Sequence, residues 1–598
     1  MTLDGQDAGE PAATMDYDDE LQLALKLSLE EYKWTTQANQ KFGSHASGFF
    51  DSLKDDAHGR SGAQKRADDT VSMSFILDQM HHFHKIIKNE VDATHELNTH
   101  SASPAGSVEP RPSTTISRNR LADLVETLFG TEENRTASSE NIRSWCKQGF
   151  CFQENPKLFW GLKQQYLGPC GVLASVQAYM LQCTLFHGGI YGSLELMQQS
   201  DAPENVLMEL REVYYNFIKL EHPDFPEEWL HIPAILEALC AVLYNATPDS
   251  HYKVILFEPL KRQSMANAVH AIMYSSNYVY VEFDSISQVA SHLLKNLHLL
   301  MCEMGVMSLT LSVLATRGVE NVRNDMDDPS MPMVGIYGHS SQELVNLLLQ
   351  GRAVSNVFDG EKVLQDGDKS LPYKLKGIPG VGCVGFLSER EASRHCAVGS
   401  YYKYPKFPVW VLASFSHYTA LFALNMEYCK RTEEEMHSVN ALTVWSCLDP
   451  DDNKFISKDL LPSLLDMLGV TALYKDACNH VIADSNLVLQ TTFMDWYLSR
   501  TASRSGERRN ENVTLFHYNG QDSMAPLSMV SVKHISQTEL GELRKSATED
   551  DEYAVDSTIA GFAKSPAVNL AKTIWTRWPK TLVDTLQMKS ETRVAPDA

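Results

Sequence analysis

A cysteine stands directly after a Gly-Pro turn, in the run Gly168-Pro169-Cys170-Gly171-Val172-Leu173. Val172, Leu173, Val176, Tyr179, Met180, Leu181 and Leu185 follow it as an apolar helical run, with Gly188 as the expected stop. A thiol in the first turn of a helix faces unpaired backbone N–H groups and the positive end of the macrodipole. Both favour the thiolate, which is the nucleophile, so the expected chemistry is thiol attack on a carbonyl. That attack needs an oxyanion donor and a base. Gln164, upstream of the cysteine, offers a side-chain amide to work beside the cysteine's own N–H, and Gln165 is the neighbouring alternative. His417 is the best base in the chain, because it sits where the strand-like runs 409–412 and 418–424 meet. A third residue to orient His417 is expected from Asn519 or Asp522, unless the site has none. His339, just before an N-cap serine, and His517 are read as structural.

These residues need a helix to present the thiol and a strand, far downstream, to face it. A turn, a cysteine, a buried helix and a distant strand histidine are the layout of papain-like thiol hydrolases. The expected fold class is therefore α+β, a papain-like cysteine protease domain. Helices are expected over 121–130, 231–244, 291–314 and 341–349, and short strands over 254–257 and 277–282. Residues 407–426 carry no charge and are long enough to span a bilayer. Their centre, however, holds Ser414, Ser416, His417 and Thr419 and Pro408 stands near the start, which fits a buried strand pair and no membrane span.

Composition narrows the function classes. The 598 residues suffice for several domains. With 52 basic and 76 acidic residues the net charge is −24, which argues against nucleic acid as a partner and is compatible with a basic protein. Eleven scattered cysteines, an odd number, suit a reducing cytoplasmic or nuclear setting better than a disulfide scaffold. The N-terminal residues lack the basic and apolar regions of a signal peptide.

Residues 18–31, DDELQLALKLSLEE, place Leu21, Ala24, Leu25, Ser28 and Leu29 on one helical face. The acidic start, Leu21, Ala24, Ser28 and Glu31 closely resemble a ubiquitin-interacting motif. In that family the small-residue face docks on the apolar patch of ubiquitin, and the acidic ends meet its basic rim. From about 35 to 118 the text is polar and rich in linker signals such as Ser103-Pro104-Ala105-Gly106, so this N-terminal region is expected to be disordered. His81, His82 and His84 lie there without a carboxylate or cysteine set at ligand spacing, and no metal site is assigned to them.

Several segments agree in order with one enzyme family. They are Gln164 with Gly168 to Leu173, Gly338-His339 with Gln342 to Leu348, Ala353 to Phe358, Trp410-Val411 with Ser416-His417-Tyr418, and the closing run Lys572 to Pro579. Together they resemble the MINDY family of cysteine deubiquitinases, in its longer branch with a calcium-hand-like insertion, over roughly residues 120–598. The resemblance implies Cys170 as nucleophile, His417 as base and Gln164 as oxyanion donor. It also implies hydrolysis of isopeptide bonds in polyubiquitin, with a preference for chains joined through lysine forty-eight of ubiquitin, no cofactor, and polyubiquitin and ubiquitinated proteins as partners. The rival expectation is a ubiquitin-binding scaffold with a decayed site.

Residues 441–465 read as helix, oxygen-rich loop and helix. Asp449, Asp451 and Asn453 fill calcium-loop positions one, three and five, and Ile456 fills the packing position eight. Lys454 replaces the turn glycine and Leu460 replaces the bidentate glutamate. The expectation is a degenerate EF-hand-like insertion kept for packing or a partner, with 478–498 as its weaker second half. The organisation expected is a ubiquitin-interacting helix in 1–34, a linker in 35–118, a catalytic domain in 119–439, the insertion in 440–499, and the rest of the catalytic domain in 500–598.

Overall fold

In a computed structural model of the chain the described residues run from 116 to 588, apart from 260–271, 273–277, 365–372, 502–511, 535–566 and some shorter stretches. The ubiquitin-interacting-like motif, the linker and the His81–His84 group lie outside the described residues, as do Asp451 and Asp522. The chain divides into two units, Asn425–Val513 and the segments that flank it.

The flanking segments begin with α1 (Arg118–Phe129) and α2 (Ser139–Lys147). Next comes α3 (Cys170–Leu185), the helix expected from the apolar run, with 14 of its 16 residues buried. A helix apolar on every side has no solvent face and must lie at the centre of its unit. It packs against α4 (His231–Ala246), itself rich in Ile, Leu and Ala. The strands β1 (Tyr252–Phe257) and β2 (Tyr278–Phe283) form an antiparallel pair. Along α5 (Gly305–Arg317), Ser308, Ser312 and Thr316 stand at successive i, i+4 positions and accept the N–H groups of Phe257, Ile255 and Lys253 at 2.8–3.0 Å. Side-chain hydroxyls of the helix thus satisfy an edge strand that would otherwise present open donors. One long helix over 291–314 was the expectation. The chain instead breaks at Asn296 and again at Cys302–Met304, where Met304 takes φ +71° and Gly305 lies so close to the Leu300 carbonyl that a Cβ would meet it. Gly188, expected to stop α3, opens the next helix, and the cap falls at Phe186.

The helix α6 (Gln342–Gln350) is N-capped by Ser341 and closed by Gly351 in the left-handed region. Its fully buried Asn346 donates to the Val354 and Asn356 carbonyls and accepts from the Tyr402 hydroxyl, so this residue folds the 353–358 segment back on the helix.

A six-stranded sheet completes this unit: β3 (Gly385–Ser388), β4 (Val409–Ala413), β5 (Tyr418–Phe422), β6 (Val513–Tyr518), β7 (Leu527–His534) and β8 (Thr581–Gln587), in the order β8-β7-β6-β5-β4-β3. β4 and β5 are antiparallel, with Val411 opposite Ala420, so the uncharged stretch is a buried strand pair. Among the described residues no helix is long and apolar enough to cross a membrane. The helix α3 packs on β4 and β5, which brings the cysteine helix onto the histidine strand. Near the end of the chain α7 (Ala567–Trp575) leads to Trp578, whose ring meets Trp410 edge-on at 5.5 Å.

The unit Asn425–Val513 contains two helix–loop–helix halves. Helices Glu433–Leu448 and Leu461–Met467 flank the first loop, and Tyr474–Val481 and Gln490–Thr501 flank the second. Short strands in the loops pair antiparallel, Ile456 opposite Val488. Trp445, Phe493, Trp496 and Tyr497 fill its core.

Candidate active site

Cys170 is the first residue of α3 and is 2% exposed. Pro169 precedes it as N-cap and its carbonyl receives the Val172 and Leu173 N–H groups. Proline tolerates this place because it has no N–H to lose and its φ suits a helix start. The turn depends on Gly168, whose φ of +114° is closed to most side chains. A Cβ on it would also meet the Trp145 indole nitrogen and the Gly338 carbonyl.

The histidine is delivered by the first residue of β5. The Tyr418 backbone N–H pulls the Cys170 thiol down, and Tyr418 lines a cleft with Cys170, so His417 stands one residue from a group beside that sulfur. The ring of His417 is held by Asn519, with Nε2 and Oδ1 3.0 Å apart. Asn519 Oδ1 also accepts the Gln521 N–H at 3.1 Å, so the oxygen end of the amide faces these groups. An amide oxygen only accepts, hence Nε2 carries the proton and Nδ1 carries the lone pair. Among the described residues, Nδ1 is buried with no hydrogen-bond partner.

Gln164 completes the cleft. Leu162, Gln164, Cys170, Tyr418, Thr419, Tyr518 and Gly520 are among its lining residues, and the free space inside, about 20 Å³, suits one water-sized group. The strip carrying Gln164 is stapled on both sides. Gln177 of α3 accepts the Leu162 N–H and donates to the Trp160 carbonyl, while fully buried Gln148 accepts the N–H groups of Gln165 and Tyr166. The Gln164 N–H donates to the Gly520 carbonyl at 2.9 Å, so Gln164 and the turn after Asn519 are tied directly. Gln165, the alternative donor, is exposed and turns its side-chain oxygen to Cys151. The structure therefore places Cys170 and Gln164 on one cleft with Tyr418 and Gly520, the chain neighbours of the paired His417 and Asn519.

Two contacts expected of a working site are not made. The Cys170 thiol points to the Gly168 carbonyl, 3.8 Å away, and not to His417. The Gln164 amide donates to the Tyr166 carbonyl at 2.8 Å. Catalytic contacts are often unmade before a substrate binds.

The electrostatics agree. Burial pushes the Cys170 thiol up from its ordinary value, against the N–H groups of Tyr418, Gly171 and Cys170, which pull it down. The helix start alone suggested a lowered value; desolvation outweighs it. Burial lowers His417, the Asn519 bond opposes this, and the nearby His339 lowers it further. A raised thiol beside a lowered imidazole favours the neutral pair over thiolate and imidazolium. His339 itself is exposed on the 335–340 turn. His517 accompanies His417 on the neighbouring strand, bonds Thr419 Oγ1 at 2.9 Å, and is brought down to about 4 by burial.

Sequence reasoning missed Ser340. Its hydroxyl is buried without a partner and lies against Gly171, where a Cβ would come within 2.7–2.8 Å of it. Its carbonyl accepts from the Tyr418 hydroxyl. The Gly338-His339 motif pointed to this turn, yet no spacing rule marks a serine that touches a helix start.

In the other unit, both Asp449 oxygens are taken within the chain: Oδ1 by the Asn453 N–H and side-chain amide, Oδ2 by the Lys454 N–H and the Trp445 indole. Lys454 has φ +67°, the conformation for which calcium loops use glycine. Asn453 donates to Asp449 through both its N–H and its side-chain amide. No cluster of three or more acidic, His or Cys ligands occurs among the described residues.

A model of the deubiquitinating enzyme MINDY-3/4 conserved domain matches residues 126–453. The ubiquitin carboxyl-terminal hydrolase MINDY-3 of Bos taurus is 30% identical over 425 residues, covering 67% of this chain and 86% of that protein. The Homo sapiens MINDY-3 shows the same identity and coverage. The probable ubiquitin carboxyl-terminal hydrolase MINDY-4 of Mus musculus is 33% identical over 287 residues, 47% of this chain and 34% of that protein. No solved structure matches the chain.

Proposed function

The chain belongs to the MINDY-3/4 family of deubiquitinating enzymes, and from this premise we propose that it is a thiol hydrolase cutting isopeptide bonds in polyubiquitin. In this reading His417 Nδ1 takes the Cys170 proton as the sulfur attacks the carbonyl at the C-terminus of ubiquitin. Gln164 and the Cys170 N–H carry the oxyanion. The imidazolium returns its proton to the departing lysine amine, and a water activated by His417 then hydrolyses the thioester. Before attack, the thiol must swing from the Gly168 carbonyl towards His417, and the Gln164 amide must leave Tyr166. The observation that carries this reading is the free Nδ1 of an Asn519-held histidine, one residue from Tyr418, which lines a cleft with Cys170 and Gln164.

The finer claims come from family resemblance and sequence. They are a papain-like fold, chains linked through lysine forty-eight as substrate, a ubiquitin-interacting motif at Leu21, Ala24, Leu25, Ser28 and Glu31, and a cytoplasmic or nuclear setting. We read the Asn425–Val513 unit as a degenerate EF-hand-like pair that needs no calcium.

The test is labelling by ubiquitin that bears a C-terminal electrophile, together with digestion of the different diubiquitins and longer chains. The expected result is one adduct on Cys170 and cleavage of lysine-forty-eight chains, both lost in Cys170→Ala. The parked thiol favours one rival, a ubiquitin-binding scaffold. A purified chain that binds ubiquitin but neither labels nor cleaves any linkage would establish the rival.

A further inference from the structure

The turn at 335–340 lies beside the nucleophile and is built with unusual firmness. The Gly338 N–H donates to the Gly335 carbonyl, the Gly335 N–H to the His339 carbonyl, and Val334 bridges Ser340. Helix α2 fixes the turn from below, with two side chains one helical turn apart. Asn141 donates to the Ile336 carbonyl at 2.9 Å, and the Trp145 indole donates to the Gly338 carbonyl at 2.8 Å. Gly338 needs its φ of +81°, and a Cβ there would strike Asn141.

A turn held this tightly presents apolar side chains to water. Tyr337 is 77% exposed and Ile336 49%, and Leu167, on the abutting Gly168–Pro169 turn, is 74% exposed. The two turns touch, because Gly168 lies against the Gly338 carbonyl. Leu167 and Tyr337 each immediately precede a glycine of that contact. Large apolar groups on fixed backbone are ready-made anchors, since little order is lost when a partner covers them.

We infer that Leu167, Ile336 and Tyr337 form the docking surface for the folded body of the ubiquitin unit whose C-terminal carbonyl Cys170 attacks. The inference rests on the function proposed above. The patch is continuous with the cleft: Leu167 is on the turn that ends in Cys170, and Ser340, at the other end of the pinned turn, touches Gly171. A protein that threads its tail to this sulfur brings its own surface over these three side chains. The occupant is an apolar patch with a basic border, and the chain's net charge of −24 complements that border.

The experiment uses the full chain with a ubiquitin C-terminal fluorogenic amide, comparing the parent with Tyr337→Ser, Leu167→Ser and Tyr337→Phe. The serine variants should raise KM about tenfold with kcat within about twofold, and Tyr337→Phe should restore the parent KM. A small alkylating reagent should modify Cys170 at the parent rate in every variant, which shows that the site is intact. Serine variants with the parent KM overturn the inference and leave the proposed function standing. A Tyr337→Ser chain with a lower KM assigns the patch to the chain's own residues 18–31, and a parent dimer abolished by the substitution assigns it to a second copy; either overturns the inference. A parent chain that neither turns over the amide nor labels brings down the proposed function itself.

Discussion

His417 Nε2 and Asn519 Oδ1 stand 3.0 Å apart, and that contact decides which nitrogen of the imidazole is basic. Held this way, the ring offers Nδ1 and not Nε2 to a proton. Removing the amide frees the ring to rotate and to change tautomer. Asn519→Ala should lower kcat by about a hundredfold, within the span of general-base contributions. KM should move little, and Asn519→Gln should recover only part of the loss. Unchanged kcat in Asn519→Ala would rule out a positioning role.

Burial holds His417 below its ordinary 6.5, helped by His339 and opposed by Asn519. As the proposed base, His417 works only when neutral. As pH falls through this lowered value the imidazole gains a proton and activity is lost, so the acid limb of kcat/KM should fall below pH 6.5. His339→Gln removes a neighbour that lowers His417 and should move the limb upward. In the resting chain, alkylation of Cys170 should grow as pH climbs to and beyond the ordinary thiol range, because burial raises that thiol. A midpoint below the ordinary thiol range would contradict the neutral pair.

Gly171 and Ser340 are a close-packed pair at the start of α3. Glycine to alanine inside a helix would normally stabilise by about 1 kcal/mol. Here the new methyl would lie 2.7 Å from Ser340 Cβ and 3.0 Å from Val345 Cγ2. The overpacking should win, at about 1–3 kcal/mol, and displace the thiol. Gly171→Ala should therefore lower both the melting temperature and the labelling rate, and adding Ser340→Gly should recover part of each. A double-mutant cycle reads the coupling, and strictly additive effects would contradict the contact.

Glu237 is buried on α4, and desolvation pushes its carboxyl up to about 8 while the Cys183 thiol pulls it down. The unfolded chain titrates near 4.5. Between these values the folded protein holds a proton that the unfolded chain has released, so stability must fall as pH rises from about 4.5 to about 8. Glu237→Gln keeps the shape without the charge. It should flatten that slope and raise the melting temperature at pH 8 relative to the parent. Parallel melting curves for the two proteins across this range would show that Glu237 is charged when folded.

Asp449 spends both carboxylate oxygens on donors of its own loop and helix, and Leu460 stands where a calcium loop ends in glutamate. Titration with calcium to roughly 1 mM should give no heat of binding and no shift in melting temperature. Asp449→Ala should lower the melting temperature of the unit with or without calcium. Saturable micromolar binding would show that the loop rearranges around an ion.

The sequence carried the reacting groups because their signals are local. A Gly-Pro turn before an apolar run can be read without knowing the fold, and so can a histidine between two β-branched and aromatic runs. Gln164 was legible through its distance from Cys170, but only the Gln148 and Gln177 staples separate it from Gln165. Ser340 and the Trp145 clamp were not legible, since they join segments far apart in the chain, 193 residues for Trp145 and Gly338. The direction of the Cys170 shift was misread for a related cause. Helix position is written in the chain, whereas burial is a sum over everything that packs around it. The break of the 291–314 helix depended on a carbonyl contact at Gly305 that no propensity reports.

The chain leaves the sheet after β5 and returns to it in β6, with Phe422 opposite Phe516, so the whole Asn425–Val513 unit is a detour between two neighbouring strands. His417 and Asn519 stand on opposite sides of that detour, 102 residues apart. At ~5–20 residues per second a ribosome takes roughly 5–20 s to make that distance. During synthesis the sulfur and the imidazole therefore exist for seconds before the amide that holds the His417 ring has been made.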